Sequence, residues 1–234
     1  IKKIYNTICD INQKEWDICV EPNNVFLKYK FLYLLETSQS VSKETGWIAK
    51  YITIKKNNII IACAPIYIKN HSQGEYIFDH GWADAYSRIG KNYYPKLLLA
   101  CPFTPVTGKR LLINPSAPEG TQDILFNAIL DLTNTLNVSS LHINFCTKNE
   151  TDYFKKKNLL IRIGEQFHFI NKNYSEFEDF LKNLSSRKRK NILKERRFIA
   201  NNHISIKVFK GKQISSEVYY ELYKFYLSTS IKKW

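Results

Sequence analysis

Four side chains able to exchange protons lie within one eight-residue run, Asp79-His80-Gly81-Trp82-Ala83-Asp84-Ala85-Tyr86. Two carboxylates, an imidazole and a phenol just past a strand-like segment form a set that can deprotonate an attacking amine, provided burial lifts one carboxyl's pKa. If Gly81 starts a turn into a helix, Asp79 and Asp84 approach the same cleft. The competing reading is structural, because Asp before a helix is a common N-cap and Trp82 and Tyr86 are ordinary core fillers. Asp79, His80 and Asp84 are the candidate catalytic residues, and Tyr86 is a candidate substrate contact. Gln166 and His168 join Tyr86 as substrate-binding candidates. Alternation along a predicted strand puts them on one face and Phe167 and Phe169 on the other, a face that lines a pocket or equally meets solvent.

A second constellation is electrostatic. Between Arg187 and Arg197 the chain carries seven cations and one anion, six units of a formal net charge of +14. Four of the seven arginines are here (Arg187, Arg189, Arg196, Arg197), in a chain that otherwise prefers lysine. Arginine offers a rigid fork of donors suited to phosphate and carboxylate. Ser185 or Ser186 reads as an N-cap, yet the first helical turn is Arg187-Lys188-Arg189, where the macrodipole disfavours cations. An anion at that helix start would satisfy both the free N–H groups and the crowded cations. Arg187, Lys188, Arg189 and Lys190 are therefore the candidate phosphate or anion contacts. The alternative is a solvated basic face. Arg189 and Arg196 fall among Ile192, Leu193 and Ile199, so their stems must snorkel and one side of the helix is packed.

Other chemistries lack support. The five cysteines (9, 19, 63, 101, 146) form no CxxC pair, and the five histidines (71, 80, 142, 168, 203) form no zinc spacing, so no metal is expected. His142 and His168 read as core or cleft histidines. No nucleophile elbow, Walker loop or dinucleotide fingerprint is present. The scattered, odd cysteine count suggests a reducing, cytoplasmic setting. The basic charge suits an anionic partner such as a nucleotide cofactor, a tRNA or anionic lipid. The abundance of Lys, Asn and Ile also fits an AT-rich genome, which would make part of that charge compositional. The lack of methionine and the uncapped end at Trp234 suggest a fragment.

The elements that must position these groups follow from periodicity. Helices are expected over 12–19 and 24–36. A hairpin is expected from strands 47–54 and 59–68 around Asn57-Asn58, followed by a short strand over 75–78. Residues 109–113 read as a strand, 121–136 as an amphipathic helix, 139–145 as a strand, 150–157 as a helix and 159–170 as a strand. Beyond them, 174–184, the basic run and 215–231 read as helices, with a strand over 204–209. The sum is a mixed sheet flanked by helices, α/β or α+β in class.

Several of these strings are similar to one bacterial family: Gly74 to Tyr86 (GEYIFDHGWADAY), Tyr93-Tyr94-Pro95-Lys96, Cys101 to Gly108 (CPFTPVTG), Ser139 to Phe145 (SSLHINF), Gln166-Phe167-His168, Ser185 to Arg197, and Phe225-Tyr226…Thr229…Lys232-Lys233-Trp234. They resemble the FemAB-like, or peptidoglycan biosynthesis/recognition, proteins. The resemblance implies domains of the acyl-CoA N-acyltransferase (GNAT) fold, one over 1–172 and the beginning of a second over 173–234. It implies an N-acyltransferase or aminoacyltransferase that uses acyl-CoA or aminoacyl-tRNA as donor and an amine as acceptor, in peptidoglycan or cell-envelope metabolism. The cleft is expected between the two domains, with the basic run holding donor phosphate. The chain departs from GNAT enzymes in lacking their glycine-rich phosphate loop. The competing expectation is a non-catalytic module that binds tRNA or an anionic cell-wall precursor. Peripheral contact with anionic membrane fits either reading, and no DNA partner is expected.

Overall fold

The computed structural model describes residues 1–233; Trp234, the last residue of the closing motif, lies outside the described residues. The chain forms two compact units, Ile1–Ile163 and Gly164–Trp234.

The first unit is built on a long hairpin. Alternating and β-branched residues form β2 (Trp47–Lys56) and β3 (Ile59–Lys69), paired antiparallel from Trp47↔Lys69 to Lys56↔Ile59. Asn57 and Asn58 connect them with φ of 50° and 63°. Two left-handed residues make the tight turn whose twist matches that of the strands, and asparagine tolerates it better than most residues. β1 (Lys2–Tyr5) pairs antiparallel with β2, and β4 (Lys96–Leu99) pairs antiparallel with β3. β5 (Leu112–Ile113) pairs with β3 beyond the end of β4. β6 (Leu141–Ile143) runs parallel to β4, with Leu98 opposite His142.

Helices cover both faces. Between β1 and β2 come α1 (Gln13–Cys19) and α2 (Tyr29–Thr37). Asn12 caps α1 by accepting from the Glu15 N–H, and the buried Trp16 indole donates to the Leu27 carbonyl. Tyr67 and Cys63 of β3 and Leu98 of β4 share this side's core with Trp16, Leu27 and Leu32. The alternate residues, Ala62, Ala64, Ile66, Leu97 and Leu99, face the other core. There they meet α4 (Thr121–Thr135) through Leu125, Phe126, Ile129 and Leu132, and α5 (Lys148–Lys156) through Phe154. The period of two on the strands sorts these two sets. α3 (His80–Arg88) lies between β3 and β4 and buries no residue fully.

A buried ion ties the segment before β5 to the end of β6. Arg110, fully buried, donates from Nε to the Asn144 carbonyl at 2.8 Å and from its terminal nitrogens to Val106 and Lys109 carbonyls. Glu150 of α5 accepts the Arg110 and Leu111 backbone N–H groups at 2.7 and 2.8 Å. Together they fix the Pro-rich 101–108 segment, whose Gly108 bridges to Cys146.

The second unit holds α6 (Phe177–Lys182), α7 (Ser186–Asn201) and α8 (Ser216–Lys233). Phe169, Tyr174, Phe177 and Phe180 form a chain of ring contacts, and Leu181 of α6 is buried.

Three expected strands are absent. At 75–78 the chain is irregular: Tyr76 takes φ 58° and Glu75 turns inward. At 159–170 and 204–209 the alternation is present, but no neighbouring strand among the described residues pairs with it, and Phe167, Ile206 and Val208 are exposed. Period two without a ladder partner makes no sheet. The helix expected over 174–184 is shorter, Phe177–Lys182. β1 and β4 form where no strand was expected.

The helical register of α4 is testable by paired truncations. Ile129→Ala, at a fully buried position, should lower stability by about 2–5 kcal/mol. Ile124→Ala on the exposed side should change it by less than about 0.5 kcal/mol. Urea denaturation read by far-UV circular dichroism distinguishes the two.

Candidate functional site

Several groups with perturbed proton affinity converge where β3 ends and β4 begins. Lys69 is the last residue of β3 and Lys96 the first of β4, and the register sets them opposite each other. Both are fully buried. Two ammonium groups in such a place require anions, and the loop after β3 supplies them. Lys96 Nζ donates to Asp79 Oδ2 at 2.6 Å, Ser72 Oγ at 2.8 Å and Glu75 Oε2 at 2.9 Å, which uses all three of its protons. Lys69 Nζ donates to the Gln73 carbonyl and sits 3.7 Å from the centre of the Trp47 ring.

Tyr93 extends the cluster toward the sheet edge. Its hydroxyl donates to Asp79 Oδ2 at 2.8 Å and lies 3.4 Å from His142 Nε2 on β6. Ser140 Oγ is 2.9 Å from the same nitrogen. Tyr86 packs edge-on against Tyr93, with ring centres 5.4 Å apart. Tyr93 is nearly buried, whereas His142 and Ser140 are half-buried. A line of hydrogen bonds therefore runs from a buried ammonium to a half-exposed imidazole.

The electrostatics divide these groups. Burial raises the Asp79 carboxyl, but the bonds from Lys96 and Tyr93 outweigh it and hold it down at about 2. Glu75 moves up, because burial outweighs Lys96. Burial, aided by Lys96, lowers Lys69 to about 7 despite the neighbouring Glu75. Burial and then Lys96 push His142 down to about 4. Burial and Asp79 raise the Tyr93 phenol, which keeps its proton. At neutral pH the line thus reads carboxylate, phenol, neutral imidazole.

The candidate residues from the sequence separate on this scaffold. Asp79 precedes α3 at its N-cap position without making a side-chain cap bond. It is buried and ion-paired, its carboxyl pKa moves down rather than up as burial alone would have it, and its Oδ2 is engaged by both Lys96 and Tyr93. His80 and Asp84 are exposed on α3, so Asp84 is not brought to Asp79's side. Tyr86 does reach the cluster through Tyr93. Gln166 and His168 are exposed in the second unit, in irregular chain where a strand was expected.

In the basic run, Ser185 occupies the N-cap position of α7 but forms no side-chain cap bond. Arg189 donates to the Leu181 and Leu184 carbonyls at 3.1 and 3.2 Å, closing the C-terminal end of α6. Arg196 lies 4.3 Å from the Phe177 ring centre, a cation–π contact that fits the expected snorkelling. Arg187, Lys188 and Lys190 are exposed.

Sequence reading passed over Lys96, Glu75, Tyr93, Ser72, Lys69 and Ser140 as functional groups. One signal was there: Lys96 directly precedes the unbroken apolar run Leu97-Leu98-Leu99, where a lysine needs a buried partner.

Two measurements test the cluster. Lys96→Met leaves two carboxyls buried without their cation and should cost about 3–5 kcal/mol. Neutralising them as well (Glu75→Gln, Asp79→Asn) should recover part of the loss in urea titrations. For Lys69, the folded pKa of about 7 lies below the ordinary 10.5, so between these values the unfolded chain holds more protons. Wild-type stability should therefore rise with pH from about 7 to 10 relative to Lys69→Met, which removes the titrating group.

No curated protein matches the chain. Among solved structures it is similar to an aminoglycoside N-acetyltransferase AAC(6')-Iy in complex with CoA (11% identity, 74% of this chain and 100% of that one, TM-score 0.38). It is also similar to AAC(6')-IG from Acinetobacter haemolyticus (11%, 75% and 99%, TM-score 0.41). A third is a ribosomal-protein-alanine N-acetyltransferase from Brucella melitensis biovar Abortus 2308 (7%, 73% and 100%, TM-score 0.42). The family described as peptidoglycan biosynthesis/recognition matches residues 7–234, nearly the whole chain, and the protein therefore belongs to the FemAB-like family.

Proposed function

We propose that this protein is an N-acyltransferase that moves an acyl or aminoacyl group from an activated carbonyl to an amine, with a cell-envelope precursor as acceptor. The observation that carries the reading is the family match across residues 7–234. The architecture of the first unit supports it. An antiparallel meander, β1 to β4, with two helices inserted after β1, passes into a parallel β4–α4–β6 step. This is the order of elements that the acyl-CoA N-acyltransferase fold leads one to expect. The second unit is read as the start of a second such domain.

Amide formation by this route needs the two reactants held together, a proton taken from the nitrogen, and the carbonyl oxygen stabilised as it gains charge. Both donors under consideration, acyl-CoA and aminoacyl-tRNA, carry phosphate. In this proposal the exposed Arg187, Lys188 and Lys190 at the start of α7 hold that phosphate. Arg189 orients them by tying the helix start to α6.

Fluorescence anisotropy with labelled CoA and with charged tRNA, across a salt series, tests the anion site. Arg187→Ala/Lys190→Ala should weaken binding of the true donor and reduce the salt slope by roughly one per cation removed. A variant that binds both ligands with wild-type affinity and salt slope would remove the basic run from the function. Transfer of labelled acyl or aminoacyl group to an amine-bearing precursor tests catalysis. Tight tRNA or precursor binding with no transfer from either donor would favour the non-catalytic module.

A further inference from the structure

We infer that the hydrogen-bond line through Tyr93 and Ser140 locks His142 as the Nε2–H tautomer, leaving Nδ1 as the proton acceptor for the substrate amine. The second half of this inference rests on the acyltransferase reading; the first half does not.

The lock follows from counting protons along two branches that meet at one nitrogen. On the first branch, Lys96 at 2.6 Å keeps Asp79 ionised, so Asp79 can only accept. Tyr93 has one hydroxyl proton and gives it to Asp79 at 2.8 Å. Toward His142 Nε2, at 3.4 Å, the phenol oxygen can therefore only accept. On the second branch, Ser139 Oγ donates to the Tyr93 carbonyl, which spends its only proton. Ser140 Oγ, 3.2 Å from Ser139 Oγ, must then donate to it. With that proton used, Ser140 Oγ can only accept from His142 Nε2 at 2.9 Å.

Both branches demand a proton on Nε2. The other tautomer would set two lone pairs against each other at Tyr93 and either repeat this at Ser140 or break the serine pair. In a half-buried site such unmade bonds are costly, because water does not fully replace the lost partner. The contacts His142 makes in the structure are the two at Nε2 and a T-shaped ring contact with Tyr93, so with the proton on Nε2 the Nδ1 atom keeps its lone pair.

The role of Nδ1 comes from the chemistry of amide formation. As the amine nitrogen bonds to the carbonyl carbon, it becomes positively charged and strongly acidic. It must lose a proton before the bond to the donor's sulfur or oxygen breaks. A base that is unprotonated at every working pH meets that need, even if it holds a proton weakly. His142 is such a base, because burial and the Lys96 charge keep it neutral. The proton passes from nitrogen to Nδ1, and the departing thiolate or alkoxide takes up one proton. The products are one amide and one thiol or hydroxyl.

The test has two readouts on the full chain. Long-range 1H–15N correlation spectra of His142, without substrate, should show the Nε2–H pattern from pH 5 to 8. Ser140→Ala combined with Tyr93→Phe should convert it to a mixture. An Nδ1–H pattern in wild type, or an unchanged pattern in the double variant, overturns the lock whether or not transfer occurs. In the transfer assay, His142→Gln keeps a donor toward Ser140 but removes the base. It should lower kcat about 10²–10⁴-fold with little change in KM. Unchanged kcat with the lock intact overturns the role of Nδ1 alone. Absence of transfer from any donor, with the Nε2–H pattern present, overturns the acyltransferase reading and that role together, while the lock stands.

Discussion

The first unit depends on one buried cation. Lys96 begins β4 at a place with no exposure, so β4 can join β3 only if Asp79 and Glu75 arrive with it. This constraint shapes the chain between them. The segment after β3 does not continue as a strand, because Glu75 has to point into the sheet end. α3 starts at His80 because Asp79, the residue before it, is anchored. Burying an ion pair gains little over apolar packing, but leaving one partner unpaired costs much more. The cluster therefore specifies this arrangement more than it stabilises it.

The same cation acts on the chemistry at a distance. It keeps Asp79 ionised, which commits the Tyr93 proton, and it disfavours a second positive charge on His142. Lys96, Asp79, Tyr93 and His142 thus act as one electrostatic unit. Asp79, one of the two carboxylates offered as a base, is its anchor, and the half-buried imidazole two bonds along the line is kept neutral.

Much of the fold was legible because its periods are strong. The β2–β3 hairpin, its Asn57-Asn58 turn, α4, α7 and α8 all lie where apolar spacing and turn residues put them. What escaped was set by pairing across distance. β1 is four residues long and mostly exposed, too short for alternation to register. β4 is an apolar run with no period of its own, made a strand by β3 and β6. The opposite error arose at 159–170 and 204–209, where alternation existed without a partner. The site was partly legible: Asp79, Tyr86 and the cleft character of His142 were visible. The pairing of Lys96 with Asp79 was not, because seventeen positions separate them in the chain and only the β3–β4 register closes that gap.

The Arg110–Glu150 junction has a consequence for the route by which the chain folds. Its backbone contacts span 39 and 40 residues, and the parallel β4–β6 pairing spans a similar distance. Closing such loops loses chain entropy before any contact repays it. The β2–β3 hairpin, closed by two residues, meets no such barrier. A folding nucleus on the hairpin, with the Arg110 junction consolidating late, is the order that loop lengths favour. The far edge of the sheet is then the last part to become solid and the first to open.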